Sequence, residues 1–206
     1  MKTNSKIKIL AASDIHGDSS LAKKLALKAE KEKVDLVILC GDLTIQDNLM
    51  QGIISPFTKK NKKVILIPGN HETLATADFL AELYDATNLH GYSIKFKDVG
   101  LFGCGAANSG LSKMSDKEVY DVLKRSFNYI KDTRKKIMVT HVHPQGSNIE
   151  KFSTIVKGSG GVTKAIKQLK PDLLLCGHVH EAAGIEEKIG STRIINVGRE
   201  GTILEF

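Results

Sequence analysis

The sequence predicts an α/β fold with mixed sheets, and three features carry that reading. Short apolar, β-rich runs alternate with helix-spaced segments from residue 7 onward, one pair of strands is separated by only Lys97-Asp98, and polar residues stand directly behind the apolar strands. Alternation calls for parallel strands joined by crossover helices, whereas a two-residue connection calls for an antiparallel hairpin.

Ile7 to Ala12 reads as a strand, Ser20 to Glu32 as a helix and Leu36 to Cys40 as a short, fully apolar strand, together a βαβ opening. Val64 to Ile67 is the third strand. Thr73 to Tyr84 follows as a helix with Leu74, Ala77 and Leu80 or Ala81 on one face. Ser93 to Phe96 and Val99 to Cys104 form the hairpin. Ser115-Asp116-Lys117-Glu118 fits a capping box, and Val119, Val122, Leu123, Phe127 and Ile130 continue at helical spacing. After a strand at Ile137 to Thr140, the Gly- and Ser-rich stretch from His141 to Gly161 reads as a loop of the length that functional loops have. A helix at Val162 to Leu169 leads into a strand at Leu173 to Cys176. Three last strands, Ile185 to Ile189, Thr192 to Val197 and Thr202 to Phe206, are expected to turn back on one another. With no repeat and no boundary visible, residues 1–206 are expected to form a single domain.

The chain is 41% hydrophobic and 26% charged with four prolines, which excludes long disorder and a collagen-like repeat. Its apolar runs fall far short of the roughly 20 residues that cross a bilayer. The N-terminus enters a strand without a signal-peptide core, so the expected location is the cytoplasm, with no membrane partner. Cys40, Cys104 and Cys176 are scattered and read as reduced, buried thiols. Thirty basic against 23 acidic residues give a net charge of +7, which favours anionic partners. The basic runs at Lys59–Lys63 and Arg134–Lys136 stand before strands and read as solvated.

Five polar groups follow apolar strands: Asp14-Ile15-His16, Gly41-Asp42, Gly69-Asn70-His71-Glu72, His141, and Gly177-His178-Val179-His180. In an open α/β sheet the carboxyl ends of the strands gather such residues into one crevice. Asp-x-His and His-x-His place two ligands on one side of an extended segment. An oxygen- and nitrogen-rich set without thiolate suits manganese, iron or zinc. The glycines before Asp42, Asn70 and His178 fit sharp turns. Asp14, Asp42 and Asn70 stand at equal intervals of 28 positions, about one βαβ repeat of roughly 30 residues.

These motifs, in this order from Asp14 to His180, resemble the calcineurin-like metallophosphoesterases. The resemblance implies a four-layer αββα sandwich with a binuclear metal site at the strand ends. It assigns Asp14, His16, Asp42 and His180 to one divalent ion and Asp42, Asn70, His141 and His178 to the second, with Asp42 bridging. The cofactors expected are two ions from among manganese, iron, zinc and nickel, manganese being the first choice in vitro. A water held between such ions deprotonates near neutral pH and is the expected nucleophile for in-line attack. His71 carries no metal in the family pattern and is expected to assist the leaving group, oriented by Glu72; His71 and Asp42 are therefore the catalytic candidates.

Other residues read more plainly. His143 either faces the site or caps a turn, and His90 reads as a surface residue. The glycines around Cys104 allow a close approach to substrate or a bend, with Asn108 and Ser109 reaching for phosphate. Gly158-Ser159-Gly160-Gly161 reads as a flexible loop bordering the site. Family members often carry Asn-Pro-Gly near the C-terminus, whereas this chain has Asn196-Val197-Gly198-Arg199. Arg199 is then substrate-facing or structural, and Asp18 adds a charge unfavourable to a doubly charged monoester.

The expected activity is a metal-dependent phosphoric ester hydrolase, a phosphodiesterase rather than a monoesterase, acting on a small phosphate ester or nucleotide-type substrate. A non-catalytic metal-binding scaffold is the alternative. A nuclease is a third reading that the charge permits; the lack of Trp and of a stacking surface disfavours nucleic acid. The residue pattern sets no oligomeric state.

Overall fold

A computed structural model describes residues 6–48, 51–105 and 107–206. Strands β1 (Lys8–Ala12), β2 (Leu36–Cys40) and β3 (Lys63–Ile67) are apolar on both faces, as strands covered on both sides must be. They run parallel with the two-residue β4 (Thr87–Asn88), and β11 (Thr202–Glu205) closes this sheet antiparallel to β1, giving the order β11-β1-β2-β3-β4.

The second sheet has the order β5-β6-β7-β8-β10-β9, from β5 (Ser93–Phe96), β6 (Val99–Cys104), β7 (Lys135–Thr140), β8 (Leu173–Cys176), β9 (Glu186–Ile189) and β10 (Thr192–Asn196). Its inner pairings are parallel and its edge pairings, β5 with β6 and β9 with β10, are antiparallel. Both sheets are mixed.

Three apolar clusters define four layers. Helices α1 (Ser19–Lys31), α2 (Ser55–Thr58) and α3 (Leu74–Leu83) cover the first sheet through Leu21, Leu25, Phe57 and Leu80 packed on Leu10, Leu39 and Leu66. The alternate residues Ile9, Ile38 and Ile65 face Leu101, Ile137, Val139 and Leu175 of the second sheet, as a side-chain period of two requires. Helices α4 (Asp116–Phe127) and α5 (Gly160–Leu169) cover the far side, with Leu123 and Ile166 against Phe102, Met138 and Leu174. Each of these fully buried side chains contributes about 1.5–3 kcal/mol, so the frame behind the strand ends is stiff. No helix among the described residues is long and apolar enough to cross a membrane.

The expected capping box at Ser115 and Glu118 is formed in both directions, and Thr73 and Tyr84 cap α3 rather than belonging to it. Leu74 is exposed, leaving Ala77, Leu80 and Ala81 as the apolar face of α3, and Ile130 is buried beyond the end of α4. The His141–Gly161 stretch is less loop-like than expected, because it holds a 3-10 turn at Ile149–Phe152 and α5 begins at Gly160. Lys63, Lys135 and Lys136 lie within strands. The last three strands do not turn back on one another throughout: β10 lies parallel to β8, and after Gly198 (φ 63°) and Gly201 (φ 68°) the chain crosses to pair β11 with β1. Helix α2 and strand β4 are too short to leave a periodic signal.

Candidate metal centre

The carboxyl ends of β1, β2 and β3 meet those of β7 and β8 where Cys40 O accepts His141 Nδ1–H at 2.8 Å. Asp14, His16, Asp42 and His178 all have positive φ there, at 57°, 47°, 52° and 72°. At non-glycine residues this conformation costs about 1–2 kcal/mol and persists where the surroundings over-determine it. Backbone bonds do so: Asp14 N–H donates to Gly41 O at 3.0 Å and His16 N–H to Asp42 O at 2.9 Å, while His178 N–H donates to Asp14 Oδ2 at 3.2 Å.

Turns, not an extended segment, therefore aim these side chains, and His178 and His180 part company to face different groups. The expected role of the glycines also shifts. Gly41 takes the turn conformation, at φ 92°. Gly69 has no positive φ, but a Cβ there would fall 2.1 Å from Asp42 Oδ1, so its place is fixed by close approach.

The structure brings all the expected ligands together. Asp14, His16 and His180 offer donor atoms within 4.8 Å of one another, and so do Asp42, His141 and His178. In the first group His180 Nε2 is 3.4 Å from both Asp14 Oδ1 and His16 Nε2. In the second, His141 Nε2 lies 3.0 Å from Asn70 Oδ1 and 3.4 Å from Asp42 Oδ1. Asp42 Oδ2 points the other way, 3.8 Å from His16 Nε2 and 4.0 Å from His71 Nε2.

The donor set fits divalent cations. With Nδ1–H committed to Cys40 O, His141 aims Nε2 at Asn70 Oδ1 and Asp42 Oδ1, and on losing the Nε2 proton it would offer that lone pair to a cation. Asp14 Oδ1 is buried without a hydrogen-bond partner. Converging acceptors of this kind, oxygen and imidazole nitrogen without thiolate, suit a hard or borderline divalent ion.

Electrostatics sharpen the picture. Burial pushes the Asp42 carboxyl up, but the charge and hydrogen bond of His141 and the backbone N–H of His71 outweigh it and hold it well below the carboxylate range. Burial opposes the charge of His141, yet Asp42 and Asp14 raise it to about 9. His178 falls to about 3 through burial and the charge of His141. For Asp14, burial is likewise overcome, chiefly by the neighbouring His180 imidazole, and its carboxyl is lowered.

Glu72 corrects an expectation. It does not orient His71; its buried carboxylate accepts backbone N–H groups of Gly69 at 2.8 Å, Leu43 at 3.1 Å and Thr44 at 3.3 Å. Burial and the charge of Asp42 raise it to about 6. Sequence offered no signal for this clamp beyond an acid next to a candidate ligand. His71 is one-third exposed, stands edge-on to His16 with ring centroids 4.8 Å apart, and its Nδ1 has no partner.

His143 is fully buried beside His141, with neither ring nitrogen hydrogen-bonded. His90 is no surface residue: half-buried, it places Nδ1 3.2 Å from Gly105 O. Cys40, Cys104 and Cys176 are free and buried. Gly105 packs on Pro68, not on an open site, and exposed Asn108 donates to Lys157 O at 3.4 Å. The Gly158–Gly161 segment is held, because Ser159 caps α5 and Asp116 accepts from Ser159 Oγ and Gly161 N–H. Asp18 caps α1 through Leu21 N–H at 2.9 Å and faces Arg199 at 3.7 Å. Asn196 buries its amide on Val179 O at 2.8 Å and keeps the turn without the family's proline.

Solved structures share this architecture. A Thermus thermophilus protein matches with a TM-score of 0.80 at 18% identity, over 98% of this chain and 95% of its own. An archaeal phosphodiesterase matches at 0.57 and 18%, over 97% and 100%, and a dimetal phosphatase from Danio rerio at 0.59 and 12%, over 95% and 88%. No curated protein sequence matches significantly. The profile of the calcineurin-like phosphoesterases matches residues 7–182, a span that contains Asp14 through His180. The chain thus belongs to the calcineurin-like phosphoesterase family.

Proposed function

We propose that the chain is a binuclear metal-dependent phosphoesterase that prefers phosphodiesters. One observation carries this reading: Asp42 lies between the two donor groups, Oδ1 3.4 Å from His141 and Oδ2 3.8 Å from His16, a position from which one carboxylate could serve two cations. Asp14, His16 and His180 would hold one ion with Asp42, and Asn70, His141 and His178 the other. When bound, such ions activate water and neutralise phosphoryl charge.

The remaining work falls to the chain's own residues. The stiff strand ends fix the ligand positions, and Glu72 ties together the turns that carry Asp42 and Asn70. His71, partly exposed beside Asp42, stands where its imidazole can deliver a proton to a departing alkoxide. Arg199, whose charge is felt at His180, is engaged by Asp18. That leaves less positive charge for a monoester dianion and supports the diester preference.

Hydrolysis of an aryl and an alkyl phosphodiester by wild type and His71→Ala tests the reading. The variant should lose far more activity on the alkyl ester, whose alkoxide needs the proton. Equal losses on both esters reject the role of His71, and faster turnover of the matching monoesters rejects the diester preference.

A further inference from the structure

A second cavity shares no residue with the metal centre. It lies between α3 and α4 where β4 leads into β5, has a volume of about 620 Å³, and is lined in part by Leu74, Asp78, His90, Tyr92, Arg125 and Tyr129. Small-molecule sites commonly measure about 300–1,000 Å³. Its chemistry is asymmetric. Tyr92 and Tyr129 line the cleft and are 66% and 73% exposed, so two phenol rings there are open to a ligand. Arg125 meets no carboxylate among the described residues, although it sits beside Gly91 in the wall.

The other polar groups are partly committed, which narrows what the cleft can recognise. Asn88 gives one amide N–H to Asp78 Oδ1 at 2.7 Å, and its Oδ1 accepts His90 N–H at 3.0 Å. A neutral His90 that donates Nδ1–H to Gly105 O keeps Nε2 as an acceptor, and Asp78 keeps its second carboxylate oxygen. Among the open valences are two acceptors, two aromatic rings and one guanidinium. A ligand that answers all of them is flat, carries N–H donors at its edge and ends in an anion.

We propose that this cleft is a binding site for a nucleoside monophosphate, its base stacked on Tyr92 and Tyr129 and its phosphate paired with Arg125. The site stands apart from the proposed hydrolysis and does not rest on it.

Because the chain has four tyrosines and no Trp, AMP binding is read directly from tyrosine fluorescence on the full-length protein. AMP should quench saturably and equally well in wild type and in Asp42→Asn. Arg125→Ala should weaken AMP about tenfold or more while leaving adenosine unchanged, since it removes only a charge-assisted contact. Tyr129→Ala should weaken both ligands by a similar factor, and Tyr129→Phe should restore them. Both side chains are exposed, so circular dichroism should match wild type for these variants. The proposal is overturned if AMP fails to saturate, or if binding survives Arg125→Ala and disappears in Asp42→Asn, which would place the nucleotide in the metal centre.

Discussion

Glu72 accepts the backbone N–H of Leu43 at 3.1 Å across 29 positions of sequence, and its carboxylate also takes the N–H groups of Gly69 and Thr44. One buried side chain so clamps the turn after β2, which carries Asp42, to the turn after β3, which carries Asn70. Glu72→Ala should therefore leave three backbone donors without their acceptor and cost about 3 kcal/mol or more. Glu72→Gln, which keeps one acceptor oxygen, should recover part of that. Urea unfolding midpoints measure both, and an unchanged midpoint in Glu72→Ala would remove the clamp from the account.

Gly69 tests close packing at the same place. A Cβ would stand 2.1 Å from Asp42 Oδ1 and 2.4 Å from Asp42 N, so Gly69→Ala must displace the carboxylate shared by the two ligand groups. Loss of about 1–3 kcal/mol is expected from overpacking, with weaker binding of manganese in calorimetry. Wild-type manganese affinity in this variant would show that Asp42 is not where the site needs it.

The pH dependence of stability has a defined sign at His90. Burial lowers its folded-state value from an ordinary 6.5, so below 6.5 the unfolded chain takes up a proton that the folded chain resists. Its contribution is present above 6.5 and is lost as pH falls through the lowered value. His90→Gln should lose less stability than wild type between pH 7 and pH 5 in denaturant titrations. Parallel curves for the two proteins would contradict this.

His71→Ala should keep the metal content of wild type, because its neighbours Asp42 and His16 remain anchored by backbone bonds. On an alkyl phosphodiester the turnover should fall by about 10²- to 10⁴-fold, the usual worth of a positioned acid. Loss of metal together with activity would make His71 a ligand instead.

Much of this was legible in the residues, for identifiable reasons. Strands such as Leu36–Cys40 and Leu173–Cys176 are short, wholly apolar and ended by glycine, so their limits coincide with those observed. The expected ligands follow such strands directly, and parallel pairing brings them to one end. What escaped depends on tertiary contact. The inward turn of Glu72 is set by the backbone of residues 43, 44 and 69, and the crossing of β11 to the other sheet by turns at Gly198 and Gly201. The half-buried setting of His90 comes from Gly105, fifteen positions away.

The proposed role of Asp42 is that of a carboxylate shared between two metal ions at a hydrolytic site. The most direct test strips the protein of metal, reloads it with manganese, and measures metal content together with hydrolysis of bis-p-nitrophenyl phosphate, in wild type and in Asp42→Asn. Two ions per chain and metal-dependent turnover, both lost in Asp42→Asn, are the predicted result. Stoichiometric metal without turnover, or turnover untouched by Asp42→Asn, would contradict the account and favour a metal-binding scaffold or a different site.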